Sequence, residues 1–81
     1  MNIRVLLFGP AATSAGAEAV VVSAPEVPTC GDVIAAVGEQ FPALRPFARV
    51  GRLAVNGNYA DVALRVADKD EIALISLVSG G

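Results

Sequence analysis

The apolar residues of this chain fall into short runs with two different periods. Residues 2–8 are rich in large and β-branched side chains and predict a strand. Ile3, Val5 and Leu7 would share one face, Leu6 and Phe8 the other, and a strand that is apolar on both faces belongs in the middle of a sheet. Gly9-Pro10 ends the run. Residues 11–17 are small and predict a loop, and residues 18–23 (Glu-Ala-Val-Val-Val-Ser) predict a second strand antiparallel to the first.

The period changes after Pro28. Thr29 is placed to cap a helix, with Asp32 where a capping box more often carries Glu or Gln. Val33, Ile34, Val37 and Phe41 follow at helical spacing, and Pro42 restricts Phe41, so the helix should end near Gln40. Residues 43–50 hold Leu44 and Phe47 around Pro46 and predict an irregular or single-turn piece whose two large residues plug the core. Residues 52–55 are a third strand, and Asn56-Gly57 is a strong hairpin signal because both residues tolerate positive φ. The return begins at Asn58. Residues 62–66 predict a further short strand or extended piece, Asp68-Lys69-Asp70 a polar turn, and residues 71–78 a last strand that is again apolar on both faces.

This order predicts an α+β domain with one main helix packed on one face of a mixed sheet of four to five strands. The first and last strands should be its central neighbours. One helix covers one face only. An apolar patch on the other would mark an interface, and Leu6, Phe8, Leu74 and Leu77 are the candidates for it.

At 81 residues the chain is one domain. Its 54% hydrophobic content can build a core, and its 17% charged content argues against disorder. With 6 Lys+Arg against 8 Asp+Glu the formal net charge is −2 and no basic stripe is present, so nucleic acid is not an expected partner. Arg45, Arg49, Arg52 and Arg65 are spread over several elements and should be solvated, with Arg52 and Arg65 the two that could steer an acidic partner. One cysteine permits no internal disulfide. The opening apolar run is too short for a signal peptide or a membrane span, so the expected location is the cytoplasm, away from any membrane. With one Cys and no His, a zinc or iron–sulfur site is not expected, nor any other bound cofactor. Cys30 lies at the start of the helix, where a thiol can be activated. The role of a small buried apolar residue is the expected one.

The most informative segment is Leu77-Val78-Ser79-Gly80-Gly81. Glycine has the largest backbone entropy and nothing to pack. Its advantage is slenderness, since backbone without a Cβ can pass through a channel too narrow for other residues. The expectation is a folded domain over residues 1–77 and a flexible tail over 78–81, with the chemistry at the Gly81 carboxylate.

This order of elements with a Gly-Gly end resembles the ubiquitin-like β-grasp fold. Within it the chain is similar to the MoaD-like sulfur carriers, the small-subunit family of molybdopterin synthase. The resemblance covers the whole length. It rests on Ile3-Arg4-Val5-Leu6-Leu7-Phe8, the helix entry Pro28-Thr29, Leu53-Ala54-Val55-Asn56-Gly57, and Asp70-Glu71-Ile72-Ala73 leading to Val78-Ser79-Gly80-Gly81. It implies that a ubiquitin-activating-like adenylyltransferase uses ATP to adenylate Gly81, which then becomes a thiocarboxylate. The tail residues Val78, Ser79 and Gly80 would enter the large catalytic subunit of a heterotetramer. Sulfur would pass there to cyclic pyranopterin monophosphate, forming the dithiolene of molybdopterin.

Two features depart from the family pattern. Lys69 stands where a Gly is usual between the acidic residues of the last turn, and Ser76-Leu77 stand where a Pro-Pro pair is common. Related carriers lack that pair, and a carrier of the same chemistry that feeds thiazole or cysteine synthesis is the alternative. Two other classes share the tail: a ubiquitin-like modifier joined to lysines through Gly81, and an interaction domain with an inert end.

Overall fold

In this computed structural model residues 1–75 are described. β1 (Asn2–Leu7) is followed by α1 (Gly9–Ala15), β2 (Ala19–Ser23), α2 (Cys30–Gln40), a 3-10 turn (Pro42–Leu44), α3 (Arg45–Val50), β3 (Arg52–Val55), β4 (Asn58–Tyr59) and β5 (Ile72–Ile75). The sheet order is β2-β1-β5-β3-β4. β5 runs parallel to β1, pairing Val5 with Ile72 and Leu7 with Leu74, and antiparallel to β3, pairing Leu53 with Leu74 and Val55 with Ile72. The two doubly apolar strands are therefore the central neighbours that their composition demands.

Alternation along the strands sorts the side chains by face. Ile3, Val5, Leu7, Val20, Val22, Leu53, Val55, Ile72 and Leu74 join one buried cluster with Val33, Ala36 and Val37 of α2. The helix is entered through a complete capping box. The Asp32 N–H donates to Thr29 Oγ1 at 3.1 Å, and the Thr29 N–H donates to Asp32 Oδ2 at 2.9 Å. Aspartate serves as well as Glu because its shorter reach still spans one turn. The helix ends at Gln40, as Pro42 requires.

Two stretches differ from expectation. Residues 9–15 form a short helix where small residues predicted a loop. Pro10 sits in the first turn, where a missing N–H costs nothing, and the alanines favour helix. Gly16, at φ 69°, closes it by donating to the carbonyls of Ala12 and Thr13, while Ala11 is fully buried and pins it to the core. Residues 62–66 form no regular strand, only one bridge between Arg65 and Thr29. Their carbonyls turn to the start of α2, where the Cys30 N–H donates to Leu64 O at 2.8 Å and the Gly31 N–H to Val62 O at 2.9 Å. The segment straps the helix entry and fills donors that a helix end leaves open.

The segment after α2 plugs the core through Leu44, which is fully buried, with Phe47 packed against it half-buried. Gly51 follows, where an added Cβ would lie 2.5 Å from the Phe47 carbonyl oxygen and 3.1 Å from that of Ile75. Only glycine lets α3 turn into β3 so close to the end of β5. The free edge of β2 is guarded by Gln40, whose side chain donates to Ser23 O at 2.8 Å and accepts from the Ser23 N–H at 2.9 Å. It takes the place of a pairing strand on an otherwise open edge.

Replacing the plug should be costly. Leu44→Ala is expected to lower the unfolding free energy in urea by about 2–5 kcal/mol. A loss below about 1 kcal/mol would show that the 3-10 turn does not seat this residue in the core.

Candidate functional site: the open sheet face and the end of the central strand

The side chains that alternate away from the helices form the other face of the sheet. The strand register sets Leu6 beside Ala73, Ala73 beside Ala54 and Ala54 beside Tyr59, a row across four strands. Small residues at its centre leave a shallow groove of about 340 Å³ lined by Phe8, Ala54, Gly57, Tyr59, Glu71, Ala73 and Ile75. Phe8 and Tyr59 stand up on either side, 56% and 54% exposed. The Arg52 guanidinium lies 4.9 Å from the centre of the Tyr59 ring, a cation–π contact that fixes both.

Of the residues expected on this face, Phe8 is exposed and Leu6 half-buried. Leu74 is a correction. It is fully buried and faces the helices, because pairing with Leu7 and Leu53 sets it in the core register. Its neighbours Ala73 and Ile75 take the outward positions. Leu77 and the tail residues Val78, Ser79, Gly80 and Gly81 lie outside the described residues, as does the expected boundary between domain and tail. Ile75, the last residue of β5, lines the groove. Ala54, Ala73, Gly57 and Ile75 were not singled out from sequence. The signal that could have found them is the alternation Leu53-Ala54-Val55 and Ile72-Ala73-Leu74, in which the larger residues mark the buried side.

The two arginines that could steer a partner are engaged within the chain. Arg52 stacks on Tyr59, and Arg65 donates to the Val27 carbonyl at 2.7 Å. That carbonyl belongs to a β-branched residue at φ 48°, a strained conformation held by the loop around it. Among the described residues no group of three or more His, Cys, Asp or Glu could hold a metal ion, and no helix is long and apolar enough to cross a membrane. Cys30 is fully buried. Burial first, then the negative charges of Asp61 and Asp70, push its thiol pKa up, so it stays protonated and unreactive at neutral pH.

A polar clasp closes the end of the sheet where β5 begins. Asn56 has φ 52° and Gly57 φ 85°, the positive pair of a two-residue hairpin. The Asn56 amide donates to Asp70 Oδ1 at 3.0 Å, and its oxygen accepts from the Glu71 N–H at 2.9 Å. Asp70 Oδ2 accepts from the Ala67 N–H at 2.8 Å. The Ala67 N–H and then the Asn56 amide hold the Asp70 carboxyl below the usual carboxylate range. In the capping box the Thr29 N–H, then its hydroxyl, do the same for Asp32.

The family match now has a structure to rest on: the chain fits the ThiS family over residues 5–81. The chain belongs to the ThiS family. Among solved structures it is similar to small archaeal modifier protein 1 (SAMP1) of Haloferax volcanii, at 31% identity over 100% of both chains with a TM-score of 0.80. A putative molybdopterin converting factor subunit 1 from Pyrococcus furiosus shares the fold at 19% identity and TM-score 0.79, over 96% of this chain and 99% of that one. A complex of subunits 1 and 2 of molybdopterin-converting factor from Helicobacter pylori contains a chain of the same fold, at 24% identity and TM-score 0.67 over 100% of both. The ubiquitin-like β-grasp fold and the kinship with sulfur carriers expected from the sequence are borne out at this level.

Two outcomes follow for the ThiS-family domain. A thiol reagent should label Cys30 only when the protein unfolds, and rapid labelling of the native chain would contradict its burial. A carboxylate with a lowered folded pKa adds stability that is complete above the ordinary value near 4 and is lost as pH falls through the folded value. The melting temperature should therefore hold steady above about pH 5 and fall below about pH 4. Asp70→Asn should shrink that acid-side fall, and equal falls in both proteins would show that the clasp carries no proton linkage.

Proposed function

We propose that this chain is a sulfur carrier whose reacting group is the Gly81 carboxylate, serving as the small subunit of a molybdopterin synthase. The observation that supports this is the family match over residues 5–81, which takes in the central strand and the Gly80-Gly81 end together. β5 leads straight into the last six residues. At no more than 3.3–3.6 Å per residue they reach at most about 20 Å beyond the sheet, deep enough for a buried site in another protein.

The chemistry follows from the carboxylate. It is a weak electrophile and carries no sulfur. An adenylyltransferase of the ubiquitin-activating kind joins it to AMP at the expense of ATP, and AMP leaves when sulfur attacks. The resulting thiocarboxylate is a soft nucleophile, spent in each turnover and then recharged. Gly80 supplies clearance, and Val78 and Ser79 set the register of the tail in its channel. The open sheet face, with Phe8 and Leu6 beside the groove, docks the large subunit. That subunit supplies the acid–base groups and the pterin pocket, in a heterotetramer of two small chains on a large-subunit dimer. The two-subunit complex from Helicobacter pylori supports the existence of a partner subunit. A carrier for thiazole or cysteine synthesis would use the same tail with a different acceptor.

A second function is favoured by the 31% identity to SAMP1, named a modifier protein. Here the activated Gly81 would pass to lysines of other proteins. Isopeptide conjugates would favour that use, and a thiocarboxylate without conjugates would oppose it.

Deleting Gly81 is expected to abolish sulfur transfer while leaving the melting temperature unchanged. Intact-mass analysis of the chain purified with its partner should show one terminal oxygen exchanged for sulfur. Full transfer activity from the chain ending at Gly80 would overturn the assignment.

A further inference from the structure

The sequence holds three asparagines, Asn2, Asn56 and Asn58, and only Asn56 precedes a glycine. An asparagine side chain carries an electrophilic carbon, Cγ, within reach of one nucleophile of its own chain, the backbone nitrogen of the next residue. Attack closes a succinimide ring. A side chain on the next residue crowds that approach, as Ile3 does after Asn2 and Tyr59 after Asn58. Glycine, without a Cβ, does not. The space around Gly57 is open as well: even an added Cβ would meet nothing within 4 Å, and both turn residues are exposed to water.

The fold restrains this reactive pair. The Asn56 amide donates to Asp70 Oδ1 at 3.0 Å, its oxygen accepts from the Glu71 N–H at 2.9 Å, and its backbone N–H donates to Glu71 O at 2.8 Å. Ring closure expels the amide nitrogen as ammonia and draws the oxygen into the ring, so both side-chain bonds have to break first. The same bonds brace the residues that lead into β5, where Asp70 also accepts from the Ala67 N–H at 2.8 Å. The reactivity of Asn56 and the anchorage of the central strand are therefore one equilibrium. A closed clasp is unreactive, and an open clasp exposes Cγ to the Gly57 nitrogen.

We propose that Asn56 is a self-modification site, a deamidation switch that the clasp with Asp70 and Glu71 holds closed and that fires when the start of β5 opens. The Gly57 nitrogen gives its proton to solvent and bonds to Asn56 Cγ. The bond from Cγ to Nδ2 breaks, and Nδ2 leaves with the electron pair as ammonia, taking a proton from water. Water then adds to either ring carbonyl and opens the succinimide to aspartate or isoaspartate. Neither product rebuilds the clasp. Aspartate sets a carboxylate oxygen, in place of a donor, against Asp70 Oδ1, in a corner where Asp68, Asp70 and Glu71 already outnumber Lys69. Isoaspartate routes the main chain through its Cβ and lengthens a hairpin whose pairing of Val55 with Asn58 allows two residues between them. The modification turns a passing opening into a lasting one.

The test follows the full chain at neutral pH, folded in buffer and unfolded in guanidinium chloride. Intact mass reads the exchange of amide nitrogen for oxygen, and peptide mapping places it. The folded chain should react at least about tenfold more slowly than the unfolded one, the factor that a local opening free energy of about 1.4 kcal/mol imposes. The product should map to Asn56 with Asn58 intact. Asp70→Ala removes the acceptor of the Asn56 amide and should react faster than the wild type. Thr29→Ala weakens the cap of α2 but leaves the clasp whole, so it should keep the wild-type rate while folded. The deamidated chain, separated by its added charge, should melt below the unmodified one. Equal rates in the folded and unfolded chains, or equal acceleration by Asp70→Ala and Thr29→Ala, would overturn control by the clasp. An unchanged melting temperature after deamidation would overturn the switch. The folded-unfolded comparison and the melting measurement need no variant, so they decide the matter even if Asp70→Ala does not fold.

Discussion

β5 is hydrogen-bonded on both sides, parallel to β1 and antiparallel to β3, and the arrangement of the molecule depends on that double pairing. It puts the last described strand in the middle of the sheet instead of at an edge. Ile72 and Leu74 are thereby committed to the core and Ala73 and Ile75 to the open face. It also fixes the point from which the final six residues depart. If the Gly81 carboxylate serves as proposed, it needs a firm base, and a strand paired on both sides resists being pulled or frayed more than an edge strand does.

The surroundings of β5 hold this geometry with backbone contacts more than with charge. Gly51 lets the α3–β3 joint come within contact of the Ile75 carbonyl. The Asn56–Asp70 clasp anchors the beginning of the strand, and the 62–66 strap secures the entry to α2. Gln40 covers part of the β2 edge. The uncovered surface is then the groove face, where two aromatic side chains rise over a floor of alanines.

Much of this was legible in the sequence because single residues enforce it. The Thr29-Asp32 pair names the start of α2, Pro42 its end, and Asn56-Gly57 the hairpin, each through a local conformational preference that tertiary packing had no reason to override. The failures share a different cause. Residues 9–15 lack any period because alanines pack by fitting, and only the buried Ala11 and the cap at Gly16 disclose a helix. Residues 62–66 alternate like a strand, yet their carbonyls are claimed by α2. In β5 every residue is apolar, so its pattern cannot say which side faces inward. The one-residue choice that sends Leu74 into the core is made by its partners Leu7 and Leu53. The expected chemistry of the tail rests on its carboxylate and its missing Cβ atoms and lies outside the described residues.

If the domain serves to hold a reactive carboxyl group at a set distance from a docked face, then reach should matter as much as the Gly-Gly end itself. One residue inserted between Leu77 and Val78 keeps the fold, the glycines and the chemistry, and moves the reactive carbon by about 3.4 Å. Single-turnover sulfur transfer from a pre-formed thiocarboxylate should fall at least about 100-fold, as expected when reacting atoms lose their alignment. A rate equal to that of the unaltered chain would contradict the idea that the sheet measures out the tail.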